Sequence, residues 1–189
     1  MKEYEIEING IRRTLPFVDI DENLAYASFV VISDTELISK VAPLLAEQIG
    51  NCDMIVTAEA KGIALAYEIS RQLGLKRFIV ARKSVKSYMK DALETKVRSI
   101  TTTSEQHLYL DKIESDLIRD RDICILDDVV STGESLAALE TLAEKAGARV
   151  IKKACILAEG KAADRDDLIY LQKLPLFRKT ENKEYEVIE

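Results

Sequence analysis

Residues 123–135 read ICILDDVVSTGES, and this stretch decides the fold. It opens with four apolar residues, Ile123 to Leu126, which indicate a strand buried on both faces. Two adjacent carboxylates, Asp127 and Asp128, end the apolar run. Because the burial of unpaired charge is costly, acids at the end of a core strand need a compensating partner.

The residues after the acid pair predict a binding loop for phosphate. Val129 and Val130 lead into a short polar run before a helical pattern begins; the run is Ser131, Thr132, Gly133, Glu134 and Ser135. It supplies hydroxyls, a flexible glycine and the backbone amides of a helix start, which together can bind an anion. Carboxylates beside such a loop indicate a sugar phosphate that carries a divalent cation.

Around this stretch, strands alternate with helices. Apolar runs predict strands over residues 53–57, 77–81, 122–126 and 149–157, and helical periodicity predicts helices over 62–73 and 133–146. Such alternation with short loops is typical of βαβ units, and therefore of an α/β fold with a mainly parallel central sheet flanked by helices. Ligands of these sheets bind at the carboxyl ends of the strands.

The N-terminal part is predicted to be a hairpin followed by a strand. Residues 4–8 and 11–15 flank Asn9-Gly10, which is a strong signal for a tight hairpin turn. A further strand is expected over residues 28–32. We expect residues 1–27 to form a small hood and residues 28–189 to form the rest of a single globular domain.

A helix is predicted over residues 35–49. Ser33 or Asp34 can cap its start, and Glu36 is placed to complete a capping box. Pro43 lies inside this helix and is expected to bend or break it. Beyond the second core strand, residues 82–105 form a long polar segment, with residues 97–103 and 105–110 as the two arms of an excursion.

Composition excludes several classes of protein. The chain has 189 residues, of which 47% are hydrophobic and 32% charged, and a net charge of −6, which argues against nucleic acid as a partner. No apolar run approaches the length of a membrane span, so no membrane association is expected. The three cysteines lack metal-ligand spacing, and Cys124 and Cys155 lie in apolar runs; reduced thiols favour a cytoplasmic location.

The segment ICILDDVVSTGES resembles the phosphoribosyl-pyrophosphate (PRPP) signature of type I phosphoribosyltransferases, and the resemblance extends over about residues 28–177. It implies the fold of that family, with a hood and a mobile loop over residues 82–105. It also implies a purine phosphoribosyltransferase that uses PRPP, a purine base and Mg²⁺, and a homodimer. The AEAKG run at residues 58–62 and the Arg-Lys pair at 82–83 resemble the purine branch.

The resemblance assigns roles to named residues. Asp127 and Asp128 would contact the ribose hydroxyls and Mg²⁺, partly through water, and the loop from Ser131 to Ser135 would bind the 5-phosphate. The remaining assignments are Ala60, Lys61, Gly62, Lys83 and Lys86 for pyrophosphate, and Arg82, Glu159 and Lys161 for the base. Adenine-type enzymes usually place a catalytic glutamate about where Thr103 stands, and Glu105 is close enough to replace it.

Three functions remain open at this point. The first is purine salvage with adenine or with a xanthine- or hypoxanthine-type base. The second is a non-catalytic, PRPP-binding regulatory protein of the same fold, and the third is a pyrimidine or orotate enzyme. The hydroxyl-rich run at residues 99–105 resembles xanthine-type more than adenine-type enzymes. Fold alone cannot identify the base.

Overall fold

A parallel sheet and an antiparallel sheet make up most of the fold. The computed structural model describes residues 3–97, 106–180 and 184–188. The strands are β1 Glu3–Ile8, β2 Ile11–Asp19, β3 Leu24–Ala27, β4 Met54–Ala58, β5 Ile79–Ala81, β6 Leu93–Val97, β7 Gln106–Leu110, β8 Asp122–Leu126, β9 Val129–Val130, β10 Arg149–Glu159, β11 Ile169–Leu174, β12 Leu176–Lys179 and β13 Tyr185–Val187. The α-helices are α1 Thr35–Ile49, α2 Ile63–Gln72, α3 Lys112–Ile118 and α4 Glu134–Lys145, and a 3-10 helix spans Gly160–Asp164.

The central sheet is parallel, as the alternation of strands and helices predicted. Its order is β11-β10-β8-β4-β5, with β9 beside β10, and each of these pairings is parallel. Strand β8 lies between β10 and β4, and its residues Ile123 to Leu126 are fully buried. The predicted α/β fold class is therefore confirmed.

Helices cover both faces of this sheet. Cys124 and Leu126 of β8 belong to a core that includes apolar residues of α1 and α2. Ile123 and Ile125 point to the other face and belong to a second core with residues of α4. Because successive side chains of a strand point to opposite faces, one short apolar run contributes to both cores. The end of β8 is thus held between two packed layers.

The predicted hairpin is present, in a second sheet of order β1-β2-β3-β12-β13. Asn9 and Gly10 form its turn with φ angles of 48° and 81°, both in the left-handed region, as a two-residue turn with this sequence requires. Strand β12 pairs with β3, with Phe177 opposite Ala25. The sheet therefore joins segments from opposite parts of the chain.

The prediction of a strand over residues 28–32 is wrong. The strand is β3, which ends at Ala27, and residues 28–34 form no strand. Phe29 and Val31 are nevertheless buried, whereas Val30 and Ile32 are exposed. The N–H of Ser28 still donates to the carbonyl of Pro16 in β2 at 2.8 Å, but the chain then leaves the sheet and turns toward α1.

Helix α1 has the predicted bounds and one of its two predicted caps. Asp34 is the cap, since its Oδ1 accepts a hydrogen bond from the backbone N–H of Leu37 at 3.0 Å. Glu36 does not complete a capping box; its carboxylate instead accepts from Arg13 at 2.8 Å. Pro43 lies inside the helix, which continues to Ile49, so the expected break does not occur.

The excursion also begins earlier than expected. Strand β6 pairs antiparallel with β7 along its whole length, Leu93 opposite Leu110. Among the described residues the first arm spans 93–97, which begins before the expected 97–103, and the second arm spans 106–110, close to the expected 105–110. Residues 98–105, including Glu105 and the hydroxyl-rich run, lie outside the described residues. None of the described helices has the length and apolar character to cross a bilayer.

Candidate active site

The acid pair lies where β8 ends and is fixed by the neighbouring strand β10. The backbone N–H of Asp127 donates to the carbonyl of Ala154 at 3.1 Å, and the carbonyl of Asp128 accepts from Ile156 and Leu157 at 3.1 and 3.2 Å. Asp127 Oδ1 accepts from the backbone N–H of Asp128 at 2.9 Å. These bonds hold both carboxylates at the carboxyl edge of the sheet.

The two carboxylates are poorly compensated. Asp128 is 3% exposed, and its Oδ2 is buried without a hydrogen-bond partner among the described residues. Burial raises the pKa of Asp127, and the charge of Asp128 raises it further. Burial also raises the pKa of Asp128, while the positive charge of Lys61 acts in the opposite direction. Such a pair has oxygen atoms available for a ligand that donates hydrogen bonds or carries positive charge.

Residues 131–135, the predicted phosphate loop, follow directly. Gly133 has φ 81° and ψ 3°, a left-handed conformation that favours glycine, and α4 begins at the next residue. The N–H of Glu134 donates to Thr132 Oγ1 at 3.4 Å. A cavity of about 130 Å³ is lined by Asp127 and by residues 129–136. The predicted loop residues therefore share one cavity with an acid of the pair, at the positive end of a helix.

A second strand end brings Lys61 to the same place. Lys61 follows β4, which is the neighbour of β8 in the sheet, and its charge acts on Asp127, Asp128 and Glu159. Gly62 packs tightly behind it, because a Cβ at this position would lie 2.3 Å from Thr57 Oγ1. The loop containing Ala60, Lys61 and Gly62 is thus held against the acid pair.

A third strand end contributes the basic residues after β5. Arg82 Nη1 donates to Glu59 Oε1 at 3.4 Å, the backbone N–H of Lys83 donates to Glu59 Oε2 at 3.1 Å, and Lys86 Nζ is 3.8 Å from the same oxygen. The hydrogen bond from Lys83 lowers the pKa of Glu59, and the charges of Lys86 and Arg82 add to the effect. Glu59 therefore links the loop after β4 to the basic residues after β5.

Glu159, which the resemblance assigns to base binding, lies beside Ser131 of the loop that follows β8. It ends β10 and is 7% exposed. Burial raises its pKa, and a hydrogen bond from Ser131 lowers it. Lys161 is exposed in the 3-10 helix that follows. The structure therefore places Glu159 beside the loop residues and leaves Lys161 exposed in the 3-10 helix.

Two contributing residues were given no role from the sequence alone. Thr57 is a fully buried polar residue in β4, and a hydroxyl in an otherwise apolar strand was the available signal. Glu59 precedes Lys61, and the sequence could have indicated a role for it because it is an acid in a loop expected to lie near basic residues. No cluster of three or more metal-ligating side chains occurs in residues 3–97, 106–180 and 184–188.

Comparison with known proteins identifies the family. The model of the phosphoribosyl transferase domain matches residues 33–175. The chain is 36% identical over 135 residues to the hypoxanthine/guanine phosphoribosyltransferase of Methanococcus voltae, covering 71% of this chain and 68% of the relative. It is 34% identical over 134 residues to the enzyme of the same name from Methanotorris igneus, covering 70% and 69%.

Solved structures show the same fold. Adenine phosphoribosyltransferase from Thermoanaerobacter pseudethanolicus superimposes with a TM-score of 0.65 at 21% identity, covering 92% of this chain and 96% of that one. The enzyme from Trypanosoma brucei, in complex with AMP, pyrophosphate and ribose-5-phosphate, gives 0.65 at 15% identity, covering 91% and 76%. At these identities the likeness concerns the fold alone. With the family model matching most of its length, the chain belongs to the phosphoribosyltransferase family, in the purine branch of type I.

Proposed function

We propose that the protein is a purine salvage enzyme that transfers the 5-phosphoribosyl group from PRPP to a free purine base and releases pyrophosphate. One observation carries the proposal: the ends of the neighbouring strands β8 and β4 bring the acid pair, the loop of residues 131–135 and Lys61 around one site. The charge of Lys61 acts on both Asp127 and Asp128, and the phosphate loop shares a cavity with Asp127. This set of groups matches the chemistry of a sugar that carries phosphate at two positions.

The acid pair is proposed to act on the ribose. Positive charge develops at the anomeric carbon when the bond to pyrophosphate breaks, as in glycosyl transfer. Carboxylates held beneath the ring stabilise that charge, and they accept hydrogen bonds from the 2- and 3-hydroxyls. Asp127 and Asp128 suit this role because the backbone of β10 fixes both residues. A ring nitrogen of the purine then attacks the anomeric carbon with inversion.

The phosphate groups are proposed to bind on either side of the acids. Ser131, Thr132, Gly133, Glu134 and Ser135 bind the 5-phosphate through backbone amides and hydroxyls at the start of α4. Ala60 and Gly62 offer backbone amides to the pyrophosphate, and Lys61, Lys83 and Lys86 offer charge. The site's position at the carboxyl edge of a parallel sheet supports this arrangement.

Mg²⁺ is the proposed cofactor, and the residues present fit it. Asp127 and Asp128 provide hard oxygen ligands, and the buried Oδ2 of Asp128 has no partner among the described residues. Mg²⁺ typically takes one or two protein carboxylates and completes its shell with phosphate and water oxygens. When bound, the ion would neutralise charge on the departing pyrophosphate.

The base is proposed to be hypoxanthine or guanine. Two relatives at 34% and 36% identity carry that name. A 6-oxopurine offers a carbonyl oxygen that Arg82 or Lys161 can bind, and guanine also offers an amine that Glu159 can accept from. Glu105 is proposed to take part in catalysis, because it lies in the segment expected to close over the substrate.

Three further properties are proposed on the family resemblance. Residues 1–27 act as a hood over the base, the enzyme is a homodimer, and it works in the cytoplasm. The hood proposal is supported by the antiparallel sheet that β1, β2 and β3 form. Light scattering combined with size-exclusion chromatography checks the dimer, since a monomer at micromolar concentration would contradict it.

Nucleotide formation from PRPP and Mg²⁺ tests the function, with hypoxanthine, guanine, xanthine, adenine and orotate as alternative bases. We expect turnover with hypoxanthine and guanine, and a loss of about a thousandfold in Asp127→Asn. Asp122→Asn is the matched control, because Asp122 begins the same strand and pairs with Arg149 at 2.6 Å on the surface. PRPP binding without product from any base would favour the regulatory protein instead.

A further inference from the structure

Arg165 is held rigidly beside the start of α4. It follows the 3-10 helix and donates to Asp167 through both Nε and Nη2, each at 2.9 Å. Paired bonds of this kind fix the plane of the guanidinium. The third nitrogen, Nη1, takes no part in the Asp167 pair and is free to face another group.

Asp167 is itself anchored to the elements that carry the phosphate loop. Lys153 of β10 lies 2.9 Å from Asp167 and 2.9 Å from Glu140 of α4. The Lys153 side chain is only 14% exposed, so this cluster is partly shielded from solvent. The hydrogen bonds from Arg165 and Lys153 hold the pKa of Asp167 far below its usual range. The ion pairs thus connect Arg165 to the helix that begins at the phosphate loop.

Nη1 of Arg165 packs against Gly133. A Cβ at Gly133 would lie 2.5 Å from this nitrogen, closer than any side chain allows. Gly133 is the residue immediately before α4 and has a left-handed conformation. The left-handed conformation favours glycine at this position, and any side chain here would displace the Arg165 guanidinium.

We propose that Arg165 is a positioning residue for the 5-phosphate loop, acting through Gly133. The proposal rests on the proposed role of residues 131–135. Glycine-containing loops lose conformational entropy when they order around a ligand. A guanidinium fixed by Asp167 and packed on Gly133 reduces that loss, because the loop is ordered before the phosphate arrives. Its positive charge also attracts the anion over a distance of about a Debye length.

If Arg165 had a purely structural role, replacing it would weaken the binding of every ligand or of none. The distinction can be made because two ligands probe separate parts of the site: ribose 5-phosphate probes the loop, and pyrophosphate probes the residues after β4 and β5. Binding of each can be measured by calorimetry with the full-length protein. Arg165→Met and Arg165→Lys are the test variants, and Arg149→Met, which breaks an exposed pair with Asp122, is the control.

We expect Arg165→Met to lower the affinity for ribose 5-phosphate about tenfold or more. The affinity for pyrophosphate should change less than about twofold. The KM for PRPP should rise with kcat nearly unchanged, and Arg165→Lys should be intermediate because it keeps charge but loses the paired bonds. Should Arg165→Met fail to fold, Asp167→Asn is the second variant, since it loosens the guanidinium without removing it.

Equal affinity of wild type and Arg165→Met for ribose 5-phosphate would overturn the inference, as would parallel weakening of both ligands. Failure of the wild type to bind ribose 5-phosphate would instead overturn the proposed role of the loop, and the inference with it. The two failures are therefore distinguishable in one set of titrations.

Discussion

Thr57 and Gly62 are packed so closely that no side chain fits at residue 62. A Cβ there would lie 2.3 Å from Thr57 Oγ1, and 3.7 Å from the Cα of Asp127. Thr57 is fully buried, so its hydroxyl cannot move into solvent. The loop that carries Lys61 therefore lies this close to the acid pair only because residue 62 has no side chain.

Gly62→Ala should lower kcat/KM for PRPP by about a hundredfold, because the added methyl displaces the loop from the acids. Thr57→Ala removes the hydroxyl and should itself have little effect on the rate. The double variant should recover most of the lost activity, since the space for the new methyl is then present. Steady-state kinetics with varied PRPP checks this, and a double variant no better than Gly62→Ala would contradict it.

Asp128→Asn should separate stability from activity. The wild-type carboxylate is buried with one oxygen unpaired among the described residues, so the neutral amide should leave the ligand-free protein equally stable or more stable by about 1 kcal/mol. Turnover should fall at least about a hundredfold. Thermal unfolding and the nucleotide assay measure the two effects. A variant that is both destabilised and active would refute the assignment.

The ion pair between Arg13 and Asp34 should make stability depend on pH. The hydrogen bonds from Arg13, at 2.6 and 2.9 Å, hold the pKa of Asp34 below its usual range. Its stabilising contribution is therefore present above the unfolded pKa of about 3.9 and is lost as the pH falls through the lower folded value.

Asp34→Asn isolates the charge, because asparagine caps helices as well as aspartate does. We expect a loss of about 1 kcal/mol at pH 7 and a much smaller one at pH 3, from urea unfolding. Glu7→Gln is the control, since its pair with Arg12 is mostly exposed. A loss that is the same at both pH values would show that the ion pair contributes nothing.

Replacing Pro43 should stabilise the protein. Pro43 is exposed inside α1, and it lacks the N–H that would bond to the carbonyl of Ser39. Pro43→Ala should raise the free energy of unfolding by about 2 kcal/mol, after allowing for the greater freedom of the unfolded chain. Glu47→Ala in the same helix should change it by less than about 0.5 kcal/mol. Unfolding in urea distinguishes the two.

The sequence predicts the elements whose signals are local. Strand β8 has the predicted bounds because four apolar residues lie between acids, and α1 has them because Asp34 caps its start. Strand β3 was misplaced because its partner β12 lies about 150 positions away, and no local pattern reports such a pairing. Residues 28–32 have the composition of a strand, but hydrogen bonding to neighbouring strands determines which segment joins the sheet.

The same distinction applies to the site. The acid pair and the phosphate loop are adjacent in sequence, so one motif predicts both. The contacts of Glu59 with Arg82, and of Thr57 with Gly62, depend on which strands are neighbours and on how closely they pack. Local sequence patterns do not give the order of the strands in the sheet. The sequence alone therefore could not predict these contacts.

The pairing of β3 with β12 has a consequence for biosynthesis. At roughly 5–20 residues per second, the ribosome needs about 8–30 s to make the roughly 150 residues that separate the two strands. Throughout that interval the hydrogen-bonding edge of β3 has no partner, while the strands of the parallel sheet are already emerging. An open edge of this kind is prone to pair with another chain. The nascent chain is therefore open to such pairing until residues 176–179 reach the edge and cover it.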